Sequence, residues 1–395
     1  MSKPPTGALV PAGPSALSGL SHLAARTLAE RAARANALTI ARTLIVGSDG
    51  YATIGAAVAD ARDGDTVLIR PGTYEESVTI TKAISVVGDG DRNRVIVEGP
   101  GAPAFVLDHT TAALSNLTIA GGAESPDAPE GSMLISGGAP LIDRLSLVGS
   151  GDKMRRGIVI GAAATPTIRG CAIRDMLFSA IEVNDGAGGT IESNEIFGGC
   201  LHGAITVTGA GTEPIIRNNA IRDVFWIGIH VEEGAGGTIE SNEFFGAFFL
   251  GAIRVTDVGT DPTILKNSVH DGQGTGICVE DGASGTIEAN EIFGQTWSKI
   301  FVGGTNTNPV IRKNTIRDGQ GSGIFVHDGA SGTIEAIEIF GNADPGIAVS
   351  DTGTDPVIRN NTIRSQSIGI FISKSADPTL EGNAFADCDE EVRRE

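Results

Sequence analysis

The most regular feature of the chain is an apolar position that recurs at nearly constant spacing through residues 165–387. Each recurrence opens a phrase in which apolar and polar residues alternate, as in GTIESNEIFG at 189–198 and PIIRNNAIRD at 214–223. Such alternation predicts short strands. The recurring residues are Ile168, Ile191, Ile216, Ile239, Ile264, Ile287, Ile311, Ile334, Ile358 and Leu380, at steps of 23, 25, 23, 25, 23, 24, 23, 24 and 22. This spacing predicts a solenoid of 22–25 residues per coil with a two-coil sequence repeat.

Helical spacing of apolar residues occurs twice before the repeats begin. Residues 17–41 predict an amphipathic helix, and residues 51–62 predict a second, short one. The expected organisation is a flexible segment plus amphipathic helix in residues 1–42, a solenoid in 43–387 and an acidic tail in 388–395. Two interpretations of the first helix remain open. It caps the first coil, since exposed strand edges invite aggregation, or it docks a partner.

Equivalent residues of stacked coils lie about 4.8 Å apart, so each repeat position predicts a column along the solenoid. One column is asparagine, which tolerates the left-handed backbone of a coil corner and bonds to the next asparagine. Two further columns alternate arginine with glutamate and arginine with phenylalanine, which favours ion pairs and cation–π stacking. We attribute these columns to stability and give His270, a member of the last one, no catalytic role.

Large apolar residues replace polar ones in the turns of the middle coils. Stacking of the coils predicts that they gather into one patch, and an exposed apolar patch usually marks a contact site. The alternative is that the rings fold back against the coil wall as a small additional core. The residues of this predicted binding patch are Phe178, Leu201, His202, Phe225, Trp226, Phe248, Phe249 and Leu250.

The strands that follow those turns carry candidate catalytic residues on their outward face. Side-chain alternation predicts that His230 and Arg254 are neighbours, that Glu232 lies diagonal to Arg254, and that Glu182 lies two coils from His230. A histidine of near-neutral pKa beside a cation and carboxylates can serve as a general acid or base. Carboxylates on this face two coils apart, such as Glu232 and Glu280, would also lie near the separation of about 6.5–9.5 Å that water-mediated hydrolysis requires. The competing interpretation is an ordinary surface ion-pair cluster around Arg254.

The composition argues against several classes of binding partner. The net charge of −19 and pI near 4.7 argue against nucleic acid, which needs a basic stripe. No apolar run approaches the roughly 18 residues that span a bilayer, so no membrane contact is predicted. The four cysteines show no CxxC or Cys/His spacing, so neither a disulfide framework nor a metal site is predicted, and no cofactor is expected. The N-terminus lacks the apolar block of a secretory signal, which predicts a cytoplasmic protein.

A family resemblance rests on the run GDTVLIRPGTYEE at residues 64–76 and on the alternating phrases that follow. The run resembles the opening of right-handed parallel β-helix proteins of the pectin lyase-like superfamily, and the phrases resemble repeats of its carbohydrate-binding and sugar-hydrolase branch. The resemblance implies an all-β, single-stranded right-handed parallel β-helix. The motifs of pectin methylesterases, polygalacturonases and alginate epimerases are missing, so no catalytic residue carries over.

Three functional hypotheses follow. The first is a cytoplasmic binding or scaffold module that self-associates, as a homo-oligomer, through the aromatic patch or the C-terminal edge. The second is a carbohydrate-active enzyme, of lyase, hydrolase or epimerase type, that binds a saccharide around His230 and Arg254. The third is an enzyme that acts on an apolar ligand in the aromatic pocket.

Overall fold

A computed structural model describes residues 41–121, 131–149 and 155–395. Over these residues the chain winds into a right-handed parallel β-helix, as predicted. Its strands form a 15-stranded sheet and a 26-stranded sheet, and the larger one consists of two rows of strands that we describe as separate sheets. Within each coil the sheets are named first, second and third in chain order. The helix predicted in residues 17–41 falls, up to residue 40, outside the described residues, so its interpretation as cap or docking helix stays a prediction.

The first sheet has 15 strands, and its neighbours pair in parallel from one coil to the next. Its strands are Thr43–Val46, Thr66–Ile69, Ser85–Gly88, Ala113–Ser115, Leu141–Asp143, Thr167–Arg169, Thr190–Glu192, Ile215–Arg217, Thr238–Glu240, Thr263–Leu265, Thr286–Glu288, Val310–Arg312, Thr333–Glu335, Val357–Arg359 and Thr379–Glu381.

The second and third sheets lie side by side and join at the C-terminal end, where two long strands run through both. The second sheet consists of Gly72–Glu75, Val95–Gly99, Thr118–Gly121, Ser146–Val148, Ala172–Met176, Glu195–Gly199, Ala220–Arg222, Glu243–Phe245, Ser268–His270, Glu291–Phe293, Thr315–Gly319 and Glu338–Asn342. The third consists of Val78–Ile80, Phe105–Thr110, Met133–Gly138, Ile158–Gly161, Ile181–Val183, Ile205–Thr208, Ile227–Glu232, Gly251–Val255, Ile277–Glu280, Ile300–Gly303, Ile324–His327 and Ile347–Val349. The joining strands are Thr362–Ile372 and Ala384–Arg394.

One α-helix, α1 (Ile54–Asp60), and one short 3-10 helix, Arg92–Arg94, lie among the strands of the described residues. The side chain of Thr53 accepts a hydrogen bond from the backbone N–H of Ala56 and so caps the start of α1. Glu76 reaches the same end, because its carboxylate accepts the N–H groups of Ile54 and Gly55 at 2.8 and 2.9 Å. The conspicuous PGTYEE run therefore has a structural role, since its last carboxylate neutralises the positive end of the helix.

The interior of the coils holds the repeating isoleucines and the asparagine ladder. Ile191 and Ile216 are buried and stand opposite each other in the first sheet. Asn194 donates from its side-chain amide to Asn219 at 3.0 Å, and Asn219 donates to Asn242 at 2.9 Å. The left-handed residue at the corner is the one before the asparagine, such as Ser193 with φ 54°. The predicted bonds between asparagine amides are therefore confirmed, whereas the predicted left-handed backbone at the asparagines is wrong.

The outward columns of the first two sheets are stacked as the repeat predicts. Arg217 pairs with Glu192 at 2.7 Å in the first sheet. In the second sheet the guanidinium carbon of Arg317 lies 3.9 Å from the ring centre of Phe293, and His270 stacks on that ring at 5.1 Å. These contacts repeat on successive coils, which explains the two-coil period as a device for stability.

The C-terminal end differs from the predicted domain boundary. Strand Ala384–Arg394 pairs with Thr362–Ile372 and includes most of the predicted acidic tail 388–395, so the β-helix extends past Asp387. Acidic residues can still continue a strand here because its outward side chains face solvent, and charges on an edge strand discourage pairing with other chains. Among the described helices, none is long and apolar enough to cross a membrane.

Candidate functional site

The outward side chains of the third sheet form a column through the middle coils. The register pairs Glu182 with Thr206, Thr206 with His230, and His230 with Arg254. Glu232 lies two residues beyond His230 on the same strand and so points to the same side. The structure thus places all four candidate catalytic residues on one face, with Glu182 two strands away from His230.

Two histidines and a carboxylate converge at the centre of this face. Nε2 of His202 lies 3.6 Å from one carboxylate oxygen of Glu232, and Nδ1 of His230 lies 3.5 Å from the other. The remaining nitrogen of each ring contacts a threonine hydroxyl: Nδ1 of His202 lies 3.1 Å from Thr206, and Nε2 of His230 lies 3.2 Å from Thr256. The imidazole rings meet edge to face at 5.2 Å. We call these three residues, His202, His230 and Glu232, the His–Glu cluster.

Burial sets the charge states in the His–Glu cluster. His230 is 5% exposed, and this burial, together with neighbouring His202 and Arg254, lowers its pKa to about 3. The expectation that His230 has a near-neutral pKa is therefore wrong, because an imidazole removed from water disfavours its charged form. Burial, with the nearby Glu233 and Asp257 carboxylates, instead raises the pKa of Glu232 to about 7.

The other two candidate residues are held in ion pairs. Arg254 donates from Nε to Glu280 on the next strand at 2.6 Å, and both side chains are partly buried. Glu182 accepts from Nε of Arg156 at 2.5 Å and from the amide of Asn184 at 3.3 Å. The ion-pair interpretation thus describes Arg254 and Glu280 well, while Glu182 is fixed by Arg156 at the border of the His–Glu cluster.

An exposed aromatic surface lies in the turns beside this face. Phe225, Trp226, Phe249 and Leu250 are 50, 42, 46 and 38% exposed. The Phe225 ring lies 5.4 Å from Phe249 and 6.4 Å from Trp226, so these residues form a continuous patch. Trp226 directly precedes strand Ile227–Glu232, which carries two members of the His–Glu cluster. We call these four residues the aromatic shelf.

The other residues of the predicted patch lie elsewhere. Phe248 is 1% exposed and packs against Phe244 in the interior, because the turn folds this ring inward. Phe178 stacks on His202 at 5.1 Å and so supports the His–Glu cluster. Leu201 lines a cavity of about 280 Å³ with Phe225. The eight residues predicted as one patch are therefore divided among the surface, the core and the cluster.

A groove that the sequence did not reveal continues along the same face toward the C-terminus. It has a volume of about 750 Å³ and is lined by Trp297, Phe301, Phe325 and Phe371, with Asp344 and Arg393 as its charged residues. Phe301 follows Arg254 in the outward column through Cys278. The polar cluster and the aromatic groove therefore share the third sheet.

Sequence reasoning also missed the position of His202 in the cluster. His202 lies in a turn and Glu232 in the next coil, so the two form no local motif. The signal that could have found it is the coil register, which sets His230 opposite Thr206 and hence near the turn that carries His202.

The comparisons with known proteins agree with this architecture. The family model for the right-handed β-helix region matches residues 156–306 and 251–391, and the chain therefore belongs to that family. Its fold is the right-handed parallel β-helix that the resemblance implied. No match was found among curated protein sequences.

Two solved structures illustrate the likeness. The periplasmic alginate epimerase AlgG has a TM-score of 0.60 at 13% identity, over 87% of this chain and 85% of that one. The catalytic unit of a thermostable GH87 α-1,3-glucanase from Streptomyces thermodiastaticus strain HF3-3 has a TM-score of 0.52 at 13% identity, over 87% of this chain and 69% of that one. At such identity these likenesses show the fold alone.

Proposed function

We propose that this protein is a carbohydrate-active enzyme that binds a polysaccharide along the outward face of the third sheet and acts on it at the His–Glu cluster. The observation that carries the proposal is the convergence of His202, His230 and Glu232 on a face that also holds the aromatic shelf and the groove. The ladders of the other two sheets offer charge pairs and stacked rings, but this face adds polar groups that converge on one point.

The placement of the groups suits a saccharide. Aromatic rings supply flat apolar area, and exposed rings such as Trp226 and Phe249 are suited to stacking on the apolar face of a sugar ring. The His202 side chain is 33% exposed, so its imidazole is within reach of a bound chain, and the carboxylate of Glu232 lies behind it. An imidazole and a carboxylate in contact can transfer a proton to or from a sugar, which is the chemistry of lyases, hydrolases and epimerases.

Support also comes from the solved structures with the same fold. The alginate epimerase and the α-1,3-glucanase named above are both enzymes of polysaccharides by their titles. Because a fold hosts many functions, this likeness raises the expectation of a carbohydrate substrate without naming it. In this chain the His–Glu cluster is the feature that supports catalysis.

The test is turnover on a panel that includes alginate, pectate and α-1,3-glucan, with products analysed by NMR. We expect activity on one member of the panel, and a fall in kcat/KM of about 100-fold or more in His202→Ala and in Glu232→Gln. The matched controls are His270→Ala and Glu240→Gln, since these residues belong to the second and first sheets. Absence of turnover on every polysaccharide, or full activity in the cluster variants, would contradict the proposal.

A second candidate function is self-association through the aromatic shelf, which is favoured by the exposure of its four apolar side chains. Sedimentation of the full chain tests it: a dimer that dissociates in a Phe225→Ser/Trp226→Ser variant supports a scaffold role. A monomer at all concentrations contradicts it. The third hypothesis, an enzyme that acts on an apolar ligand in the aromatic pocket of the middle coils, stays a prediction, as does the cytoplasmic location.

A further inference from the structure

The His–Glu cluster carries a feature that stacking and ion pairing leave unexplained. Nδ1 of His230 is buried and, in the described part of the chain, makes no hydrogen bond. Buried polar atoms are nearly always satisfied, so an orphaned nitrogen calls for a specific explanation. It faces a carboxylate oxygen of Glu232 at 3.5 Å, in a position from which a proton donor or a cation between them would be expected.

The hydrogen bonds of the two threonines allow the ring nitrogens that face them to carry the protons. The Thr256 hydroxyl donates to Asp257 at 3.4 Å, and so it accepts from Nε2–H of His230. The Thr206 hydroxyl lies 3.2 Å from Ser179 as well as 3.1 Å from Nδ1 of His202, so it can donate to the serine and accept from the imidazole. With these protons in place, Nδ1 of His230 and Nε2 of His202 each present a lone pair to Glu232.

We propose that His202, His230 and Glu232 bind a divalent first-row transition metal ion such as Zn²⁺. A ring nitrogen of His202, a ring nitrogen of His230 and a carboxylate oxygen of Glu232 lie within 4.8 Å of one another. A tetrahedral ion with bonds of about 2.0–2.1 Å sets its ligands about 3.3–3.4 Å apart. The shortest contacts, 3.6 Å from Nε2 of His202 and 3.5 Å from Nδ1 of His230, run to different oxygens of Glu232, so the carboxylate would turn slightly to hold the ion with one oxygen or would bind it with both. Two imidazoles and one carboxylate are a donor set that such ions prefer.

The surroundings match those of a metal site that acts on substrate. The threonine hydroxyls hold the far nitrogen of each imidazole, as partners of metal-bound histidines usually do. The neighbouring carboxylates of Glu233 and Asp257 favour a cation at Glu232, whereas Arg254 opposes it. Three protein ligands leave a coordination position on the solvent side, next to His202, where a sugar hydroxyl or carboxylate can bind. The inference rests on the proposed function, whose site it shares: with the ion bound, His202 and Glu232 would serve as ligands, and the proton transfer would fall to a water on the ion.

Metal binding is tested on the full chain without substrate. Protein treated with a chelator and dialysed is titrated with Zn²⁺ by calorimetry and with Co²⁺ by visible absorption, which reports the ligand geometry. We expect one ion per chain, loss of this binding in His202→Ala and Glu232→Gln, and weakening by about 10- to 100-fold in Thr256→Val. Circular dichroism of each variant checks that the β-helix is intact.

The matched control is His327→Ala. His327 ends strand Ile324–His327 of the same sheet and belongs, with Asp328 and Asp351, to the other described group of potential ligands. Its substitution should leave binding at the His–Glu cluster unchanged. Folded protein that binds neither ion, or binding that is lost with His327 and kept without His202, overturns the inference. Turnover by metal-free protein would support the proposed function and contradict a role of the ion in it. Metal binding without turnover on any polysaccharide would support the metal site and contradict the proposed function.

Discussion

Glu232 and His230 lie two residues apart on one strand, with a carboxylate oxygen 3.5 Å from a buried imidazole nitrogen that has no hydrogen bond. This pair distinguishes the outward column of the third sheet from a purely structural stack of side chains. In the first sheet, by contrast, the outward neighbours Arg217 and Glu192 satisfy each other. At Glu232 the outward groups converge and leave an unsatisfied lone pair.

The asparagine ladder should be measurably stabilising. Asn267 donates to the Ile239 carbonyl and to Asn290, both at 2.9 Å, and accepts from the backbone and side chain of Asn242. Asn267→Ala leaves these buried groups unsatisfied, so we expect the free energy of unfolding to fall by about 1–3 kcal/mol. Urea unfolding followed by circular dichroism measures the change.

The chain offers a control for that variant at the position where the ladder is interrupted. Ile337 stands in the asparagine column, and its backbone N–H donates to Asn361 at 3.0 Å. Ile337→Asn adds a member to the ladder and should leave stability unchanged or raise it. Equal stability of Asn267→Ala and wild type would show that the ladder is incidental.

Lys299 should make stability rise at alkaline pH. It is fully buried, its ammonium donates to the Gly321 carbonyl at 2.7 Å, and burial lowers its pKa to about 8 from the ordinary 10.5. Between these values the unfolded chain binds a proton that the folded chain has released, so the free energy of unfolding increases with pH in that window. Lys299→Met should abolish this increase and should stabilise the protein at pH 7.

Urea unfolding at a series of pH values from about 7 to 10.5 checks this prediction across the pKa window of the buried lysine. The control is Lys266→Met, since Lys266 is largely exposed and pairs with Glu240. A pH profile of Lys299→Met identical to that of wild type would contradict the assigned role of burial.

The aromatic shelf should contribute to substrate affinity. Removing the exposed Trp226 ring takes away stacking of about 1 kcal/mol, or roughly five-fold in affinity. Because stacking holds substrate and transition state alike, Trp226→Ala should raise KM and leave kcat nearly unchanged. Phe340→Ala, on the second sheet, is the control. A loss confined to kcat would show that the shelf acts in another way.

Arg254 should favour an anionic substrate. Because the side chain is paired with Glu280, we compare the double variant Arg254→Met/Glu280→Gln, which leaves neither charge unpaired. A hydrogen bond to a charged group contributes about 1.5–3 kcal/mol, so affinity for a uronate oligosaccharide should fall at least ten-fold while that for a neutral one is kept. Calorimetry measures both, and Arg217→Met/Glu192→Gln on the first sheet is the control. Equal losses for both ligands would contradict this role.

The fold could be predicted because the same contacts recur in successive coils. A buried Ile216 stands over a buried Ile191, and Asn219 bonds to Asn194, so the spacing of these residues along the chain maps directly onto contacts. The end of the β-helix was placed too early, at Asp387, because the charged residues of the last strand hide its alternation.

The candidate site was only partly predictable, because it depends on side-chain direction. The outward column of His230 and Arg254 follows from register. An apolar residue in a turn can point either way, and Phe248 turns inward where Phe249 turns outward. The burial of His230, which shifts its pKa, depends on the turn that brings His202 over it.

A crystal structure of the Glu232→Gln variant, soaked with an oligosaccharide of the polysaccharide that the wild type turns over, would show directly where the substrate binds. We expect an ordered sugar on the outward face of the third sheet, within hydrogen-bond distance of His202 and beside Trp226. A sugar ordered on the first or second sheet, or a third sheet left bare at saturating oligosaccharide, would contradict the proposed function.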